Sequence, residues 1–215
     1  MNRSPFIPTF SNFLELKAFQ NKTAIHEAGH AAAIYLGNRY KQLPPVFFQI
    51  WMTGLANHQK YSASKNYFAK VEGGRLIHTL PSSVEEATYN FTVEQKQAYQ
   101  LAFEADIINL LVGPLAEANY VALNDDEIFN TQVVNLSALH YYGGTADLQL
   151  VAEYLYCLTD LESVREQKLN ELFAAAFRFI NDGKNWRAII SLANAILANK
   201  NDVMDYEEIS LVLDK

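Results

Sequence analysis

The sequence predicts a mainly helical domain of the α+β class with one small β element. Three observations support this prediction. Apolar residues recur at helical spacing through most of the chain. Gly and Pro, which interrupt helices, are scarce at 9 and 6 of 215 residues. The two short runs that suit β-strands both lie near residues 45–80.

The first part of the chain is predicted to contain one long helix and two strands. Helical spacing of apolar residues extends over residues 13–36, and Gly37-Asn38 is a typical C-terminal stop. Residues 46–51, VFFQIW, are β-branched and aromatic and predict a strand. The polar and aromatic residues 57–67 predict a loop or an irregular hairpin. Residues 75–81, RLIHTLP, follow two glycines and predict a second strand.

Helices dominate the rest of the chain. A long amphipathic stretch begins at Thr92-Val93-Glu94 and continues to about residue 123, with Gly113-Pro114 as an expected kink. Thr145 is a suitable N-cap for a helix that ends at residue 158. Three more helices are predicted, at residues 161–181, 185–198 and 205–213. No repeat, low-complexity tract or linker divides the chain, so residues 1–215 are predicted to form a single domain.

Composition and charge argue against several classes of protein. There are 17 basic and 24 acidic residues, which give a net charge of −7, and the pI is near 5.2. Nucleic-acid binders normally present a basic surface, so no nucleic-acid partner is expected. The single cysteine, Cys157, excludes both an internal disulfide and a cysteine-based zinc site. Because no signal peptide and no uncharged apolar run of 18 residues occurs, we expect no membrane span and a cytoplasmic location.

A metal-site motif lies inside the first predicted helix. Residues 26–30 read His26-Glu27-Ala28-Gly29-His30, the H-E-x-x-H pattern. Two histidines four positions apart leave the same face of a helix, so both imidazoles can reach one zinc ion. Glu27 lies next to the first ligand, where its carboxylate can act as general base. A glycine inside a helix costs about 1 kcal/mol relative to alanine, so Gly29 indicates a close backbone approach or packing against another helix.

The third ligand is not decided by the motif itself. A metzincin would have glycine and histidine where this chain has Ala33 and Leu36, so that class is excluded. Asp147, in the first turn of the helix predicted from Thr145, is one candidate, although an acidic residue there also favours the helix dipole. A thermolysin-like site would instead take a glutamate from a later helix, and four are available: Glu85, Glu86, Glu94 and Glu104.

Three sequence blocks in order resemble the peptidase domain of the FtsH-type ATP-dependent zinc metalloproteases. They are HEAGHA, then VGPLAEA on a helix, then GGTADL at the start of another helix. The C-terminal NWRAIISLANAIL and NDVMDYEEISLVL are similar to the closing pattern of that family. The resemblance covers about residues 20–213 and leaves residues 1–19 as an N-terminal extension.

The resemblance implies a mainly helical zinc metallopeptidase with a small β element beside the metal. It implies that His26, His30 and Asp147 bind zinc and that Glu27 is the catalytic base, with a polypeptide as substrate. Glu117, in the VGPLAEA block, matches an acidic position of the family without an assigned role. The family also implies a homo-oligomer. Because this sequence contains no G-x-x-x-x-G-K-[ST] loop and no transmembrane segment, we expect a stand-alone peptidase domain without the ATPase and membrane parts.

Two functional hypotheses follow from these patterns. The first is a zinc metalloendopeptidase that hydrolyses peptide bonds of flexible or unfolded polypeptides. The second is a catalytically idle scaffold that keeps the helical framework as an oligomerising or adaptor module. The first is favoured because a disused site has no physical need for His26, Glu27, His30 and Asp147 together.

Overall fold

The computed structural model describes residues 10–52, 68–74 and 81–215, with side chains described from residue 14 onward. Within these ranges the fold is mainly helical with a small antiparallel sheet, so the predicted fold class is confirmed. No helix in the described part of the chain is both long enough and apolar enough to cross a membrane.

The first helix, α1, covers Phe10–Ala32 and includes the whole H-E-x-x-H motif. It does not end at Gly37 as predicted. A π-helical turn, Ala33–Gly37, and a short helix α2, Asn38–Tyr40, continue the same run of structure. Extra-wide turns of this kind are uncommon and often lie beside functional sites.

Two helices, α3 and α4, follow the first two strands in the chain. The short α3, Val84–Ala87, is absent from the prediction and is capped by the Ser83 side chain. The long α4, Val93–Asn124, begins where the sequence predicts, because Thr92 and Gln95 form a reciprocal capping box. The helix continues through Pro114, which lies in its C-terminal half.

The C-terminal half of the chain contains four helices near their predicted positions. A 3-10 helix, which the sequence did not predict, precedes them at Leu136–Tyr142. Thr145 is the first residue of its helix rather than the N-cap, which is Gly144. The last helix is preceded by a capping box that involves Asp205. The observed bounds are α5 Thr145–Leu158, α6 Glu162–Asn181, α7 Gly183–Ala198 and α8 Tyr206–Leu213.

The sheet has three strands in the order β2-β1-β3, all antiparallel. The predicted VFFQIW strand is observed as β1, Phe48–Met52, and it occupies the centre. The edge strands β2, Ala69–Gly73, and β3, Val203–Met204, were not predicted. The loop predicted at 57–67 and residues 75–80 of the second predicted strand lie outside the described residues.

The core forms where α1 packs against α4 and α7, and α6 packs against both α4 and α7. Small residues of α1 and large aliphatic residues of α4 and α7 fill this interface. Burying these side chains is the main stabilising contribution to the fold. Those with no exposed surface include Ala24, Ala28, Ala31, Ile107, Leu111, Leu115, Ile189 and Leu192.

Candidate metal centre

The two histidines of the motif lie about one helical turn apart near the C-terminal end of α1. Because four residues make slightly more than one turn, both imidazoles leave the same face of the helix. Their ring centroids are 4.8 Å apart. His26 is 7% exposed and His30 is 9% exposed, so both rings are shielded from solvent.

Helix α4 orients both rings from the other side. The Nδ1 of His30 donates a hydrogen bond to the backbone carbonyl of Asn109 at 2.8 Å. The Nδ1 of His26 lies 3.2 Å from Oε2 of Glu117. Since the Nδ1 atom of each ring is engaged by α4, the Nε2 atoms are the ones that can bind a metal.

Asp147 completes the group from the first turn of α5. Its Oδ2 is 3.3 Å from Nε2 of His26, and its Oδ1 is 3.4 Å from Nε2 of His30. Gly143, with a φ of 73°, makes the left-handed turn that leads into this helix. The ligand atoms of the three side chains all lie within 4.8 Å of one another. The described residues therefore include a group that can hold a metal ion.

The electrostatics of the group favour a positive charge between the three side chains. Burial alone lowers the pKa of His26, but hydrogen bonds to Asp147 and Glu117 and the charge of Glu27 outweigh it and raise the pKa to about 10. Burial also lowers the pKa of His30, but the negative charge of Asp147 outweighs this effect, so the pKa of His30 is raised. Burial raises the pKa of Asp147, yet the neighbouring imidazoles hold it well below its usual range. The carboxylate is therefore ionised, as a metal ligand must be.

Two glycines allow α1 and α4 to approach closely at the site. A Cβ atom on Gly29 would lie 2.8 Å from the Cβ of Ala116, so the glycine is explained by packing against α4. A Cβ atom on Gly113 would overlap the imidazole ring of His30. The VGPLAEA block therefore supplies the surface on which the second histidine rests.

Glu27 faces a cavity of about 700 Å³ at the same site. Its Oε2 accepts a hydrogen bond from the backbone N–H of Val71 at 2.7 Å. This N–H belongs to the edge of β2 that faces away from β1, and no other described residues pair with that edge. The cavity is lined by His26, His30 and Asp147, and by side chains that include Ile34, Gln49, Lys70, Glu72, Leu110 and Leu150. The potential base, the potential ligands and a strand edge thus share one opening.

The structure brings together the four residues that the sequence singled out. His26, Glu27, His30 and Asp147 all line the cavity, although they are up to 121 positions apart in the chain. The four alternative glutamates do not join them. Glu104 forms an ion pair with Lys168 at 3.1 Å, and the other three are exposed side chains: Glu85, Glu86 and Glu94.

Sequence reasoning missed three supporting contacts and one detail of the sheet. Neither the Asn109 carbonyl nor the Val71 N–H could have been identified, because backbone groups carry no residue-specific signal. Glu117 was visible in the VGPLAEA block, but its contact with His26 was not. His140 is exposed, and its Nδ1 lies 3.3 Å from Thr145 Oγ1. The sequence also did not show where the predicted VFFQIW strand lies in the sheet, which is between β2 and β3.

Comparisons with known proteins add no relative. No protein-family model, no curated protein and no solved structure matches this chain. The similarity to FtsH-type peptidase domains therefore remains a resemblance of sequence blocks.

Proposed function

We propose that this chain is a zinc-dependent metallopeptidase that hydrolyses peptide bonds of flexible or unfolded polypeptides, similar to the peptidase domain of FtsH-type proteases. One observation carries the proposal. The Nε2 atoms of His26 and His30 and the carboxylate of Asp147 converge at a cavity that also contains Glu27. Two imidazoles and one carboxylate are the donor types of catalytic zinc sites, which keep one further position open.

The residues present fit zinc in their chemistry and in their orientation. The engagement of both Nδ1 atoms leaves the Nε2 atoms directed at Asp147. The low pKa of Asp147 keeps its carboxylate available as an anionic ligand. When bound, zinc would supply Lewis acidity that polarises a peptide carbonyl and brings the pKa of a water molecule toward about 7.

Glu27 would then transfer the proton that peptide hydrolysis requires. Val71 N–H holds Oε2, so Oε1 is the oxygen that takes the proton from the attacking water. The same oxygen returns the proton to the leaving amine, so the carboxylate ends the cycle as it began. This assignment makes Glu27 necessary for cleavage but not for metal binding.

The cavity suits an extended chain better than a folded protein. It is about 700 Å³ in volume, and its walls combine apolar side chains such as Ile34 and Leu150 with the edge of β2. A peptide must be unfolded to bring a single carbonyl into such an opening, beside His26, His30 and Asp147. Flexible or denatured polypeptides are therefore the proposed substrates.

The first experiment measures metal per chain by elemental analysis, in protein purified without added metal. We expect about one zinc per wild-type chain and a large loss in Asp147→Ala. Asp160→Ala, which removes an exposed aspartate just beyond α5, is the matched control and should retain zinc. Zinc binding that is unchanged in Asp147→Ala would refute the three-ligand site. Iron in place of zinc would contradict the proposed zinc enzyme and point to non-haem iron chemistry, because two histidines and one carboxylate also bind iron.

The second experiment separates metal binding from catalysis. Glu27→Gln should keep its zinc and lose cleavage of a fluorescently labelled unfolded protein such as casein. Glu166→Gln, at an exposed position of α6 that does not line the cavity, is the control and should cleave normally. Retained turnover in Glu27→Gln would remove Glu27 as the base. Zinc binding without cleavage of any unfolded protein would instead favour the adaptor hypothesis, and the size of the particle in solution would then test for the homo-oligomer.

A further inference from the structure

We infer that Glu117 is a positioning residue of the metal centre, whose carboxylate sets the orientation of the His26 ring and thereby the affinity for the metal. The inference rests on the proposed function only in taking His26 as a metal ligand. It adds a residue to which neither the motif nor the ligand group assigns a role. The observation that carries it is the contact between Glu117 Oε2 and His26 Nδ1 at 3.2 Å.

The two histidines are oriented by different kinds of group. His30 donates to a backbone carbonyl of α4, which is fixed by the helix itself. His26 has a side-chain partner instead, because Glu117 lies two helical turns further along the same helix. The orientation of His26 therefore depends on one replaceable side chain, whereas that of His30 does not.

The Glu117 carboxylate is enclosed, which limits its choice of partners. The side chain of Glu117 is 12% exposed, and that of His26 is 9% exposed. A Cβ atom on Gly143 would lie 3.2 Å from both Glu117 Oε2 and His26 Nδ1. The contact is therefore covered by the turn that precedes α5, and a side chain at position 143 would crowd it. A carboxylate shielded to this degree is stabilised when it accepts a hydrogen bond from its neighbour.

A carboxylate at Nδ1 has two consequences for a metal at Nε2. It holds the tautomer in which the proton is on Nδ1, so that the lone pair of Nε2 is available to bind the metal. It also makes the imidazole a stronger electron donor. Loss of such a partner typically weakens metal binding by about 10–100-fold.

Two substitutions separate the hydrogen bond from packing. Glu117→Met keeps a long unbranched side chain without a carboxylate, and we expect zinc affinity to fall by about 10–100-fold. Glu117→Gln keeps an acceptor oxygen without the charge and should restore most of the affinity. Glu104→Ala removes another carboxylate of α4, one that pairs with Lys168 away from the site, and should leave zinc affinity unchanged. Zinc affinity is measured by competition with a chromophoric chelator, so the readout does not depend on peptidase activity.

The outcomes distinguish this inference from the proposed function. If wild-type protein binds neither zinc nor cobalt, both are overturned. If wild-type protein binds zinc and Glu117→Met binds it equally well, only the role of Glu117 is overturned. Should Glu117→Met fail to fold, a long-range ¹H–¹⁵N spectrum of zinc-loaded Glu117→Gln tests whether Glu117 contacts His26 in the zinc-bound protein. The Hδ1 resonance of His26 should shift relative to the wild type while that of His30 stays, and an unshifted His26 resonance would overturn the inference.

Discussion

Replacement of Gly113 by alanine should disable the candidate metal centre while leaving the fold largely intact. Gly113 lies in α4 against the imidazole ring of His30. Even Cδ2, the most distant of the three nearest ring atoms, would be 2.6 Å from a new Cβ atom, whereas ordinary contact begins at 3.4 Å. The ring must therefore move by about 1 Å, since the Cβ atom is fixed to the helix backbone.

The size of this movement determines its effect on zinc. Metal–ligand distances are held to within about 0.2 Å, so a 1 Å shift takes Nε2 of His30 out of coordination range. The same shift breaks the 2.8 Å hydrogen bond from Nδ1 to the Asn109 carbonyl. Because loss of an outer partner alone costs about 10–100-fold, displacement of a direct ligand should weaken zinc binding by at least about 100-fold.

The effect on folding should be smaller. Overpacking typically costs about 1–3 kcal/mol, and alanine recovers about 1 kcal/mol relative to glycine inside a helix. Metal-free Gly113→Ala should therefore lose no more than about 2 kcal/mol in the free energy of unfolding. The control is Gly183→Ala, where the nearest atom to a new Cβ, Arg187 Nη1, is at a comfortable 3.5 Å. It should bind zinc like the wild type.

The assay combines chelator competition for zinc affinity with urea unfolding of the metal-free protein. Wild-type zinc affinity in Gly113→Ala would show that the His30 ring does not occupy the described position when metal binds. A loss of stability without any loss of zinc affinity would show that the helices separate instead. Either result would refute the reasoning from the ring contact.

Two further predictions concern stability. Asp182 caps α7 by accepting from the N–H groups of Lys184 and Asn185, at 2.8 and 3.2 Å, so Asp182→Ala should cost about 1 kcal/mol in urea unfolding at pH 6. These backbone hydrogen bonds lower the pKa of Asp182, so its contribution is complete above the ordinary value of 3.8 and is lost as the pH falls through the lower folded-state value. An equal cost far below that pH would contradict this linkage. Leu111→Ala, at a fully buried position of α4, should cost about 2–5 kcal/mol, whereas Leu123→Ala, 57% exposed in the same helix, should change stability by less than about 0.5 kcal/mol.

Much of the helical framework could be predicted from the sequence because its signals are local. The start of α4 is specified by Thr92 and Gln95, three residues apart, and the start of α8 by the corresponding pair Asp205 and Glu208. The end of the first helix was predicted less well. Gly37 indicated a stop, but the chain continues through a π-helical turn into α2. Glycine permits a helix to end but does not require it. Whether the helix ends at Gly37 therefore depends on the residues that pack around it in the folded chain.

The sheet was harder to predict because pairing is not local. β1 is rich in aromatic and β-branched residues, and its existence was predicted. β2, Ala69–Gly73, contains an exposed lysine and an exposed glutamate, as edge strands often do. It therefore lacks the run of β-branched and aromatic residues by which a strand is recognised in a sequence. β3 has only two residues and forms because it lies beside β1. The central position of β1 is likewise a property of the assembled sheet.

For the candidate site, the sequence by itself determined that His26 and His30 share one helix face with Glu27 beside them, because helical spacing is a property of neighbouring residues. Reasoning from residue types left Asp147 and four glutamates open as the third ligand, and only the resemblance of sequence blocks favoured Asp147. The tertiary structure decided which carboxylate meets the imidazoles, and it supplied the backbone groups of Asn109 and Val71. The physical reason is that α1, α4, α5 and β2 meet through packing of whole faces, and no local pattern records which distant residues that packing brings within bonding distance.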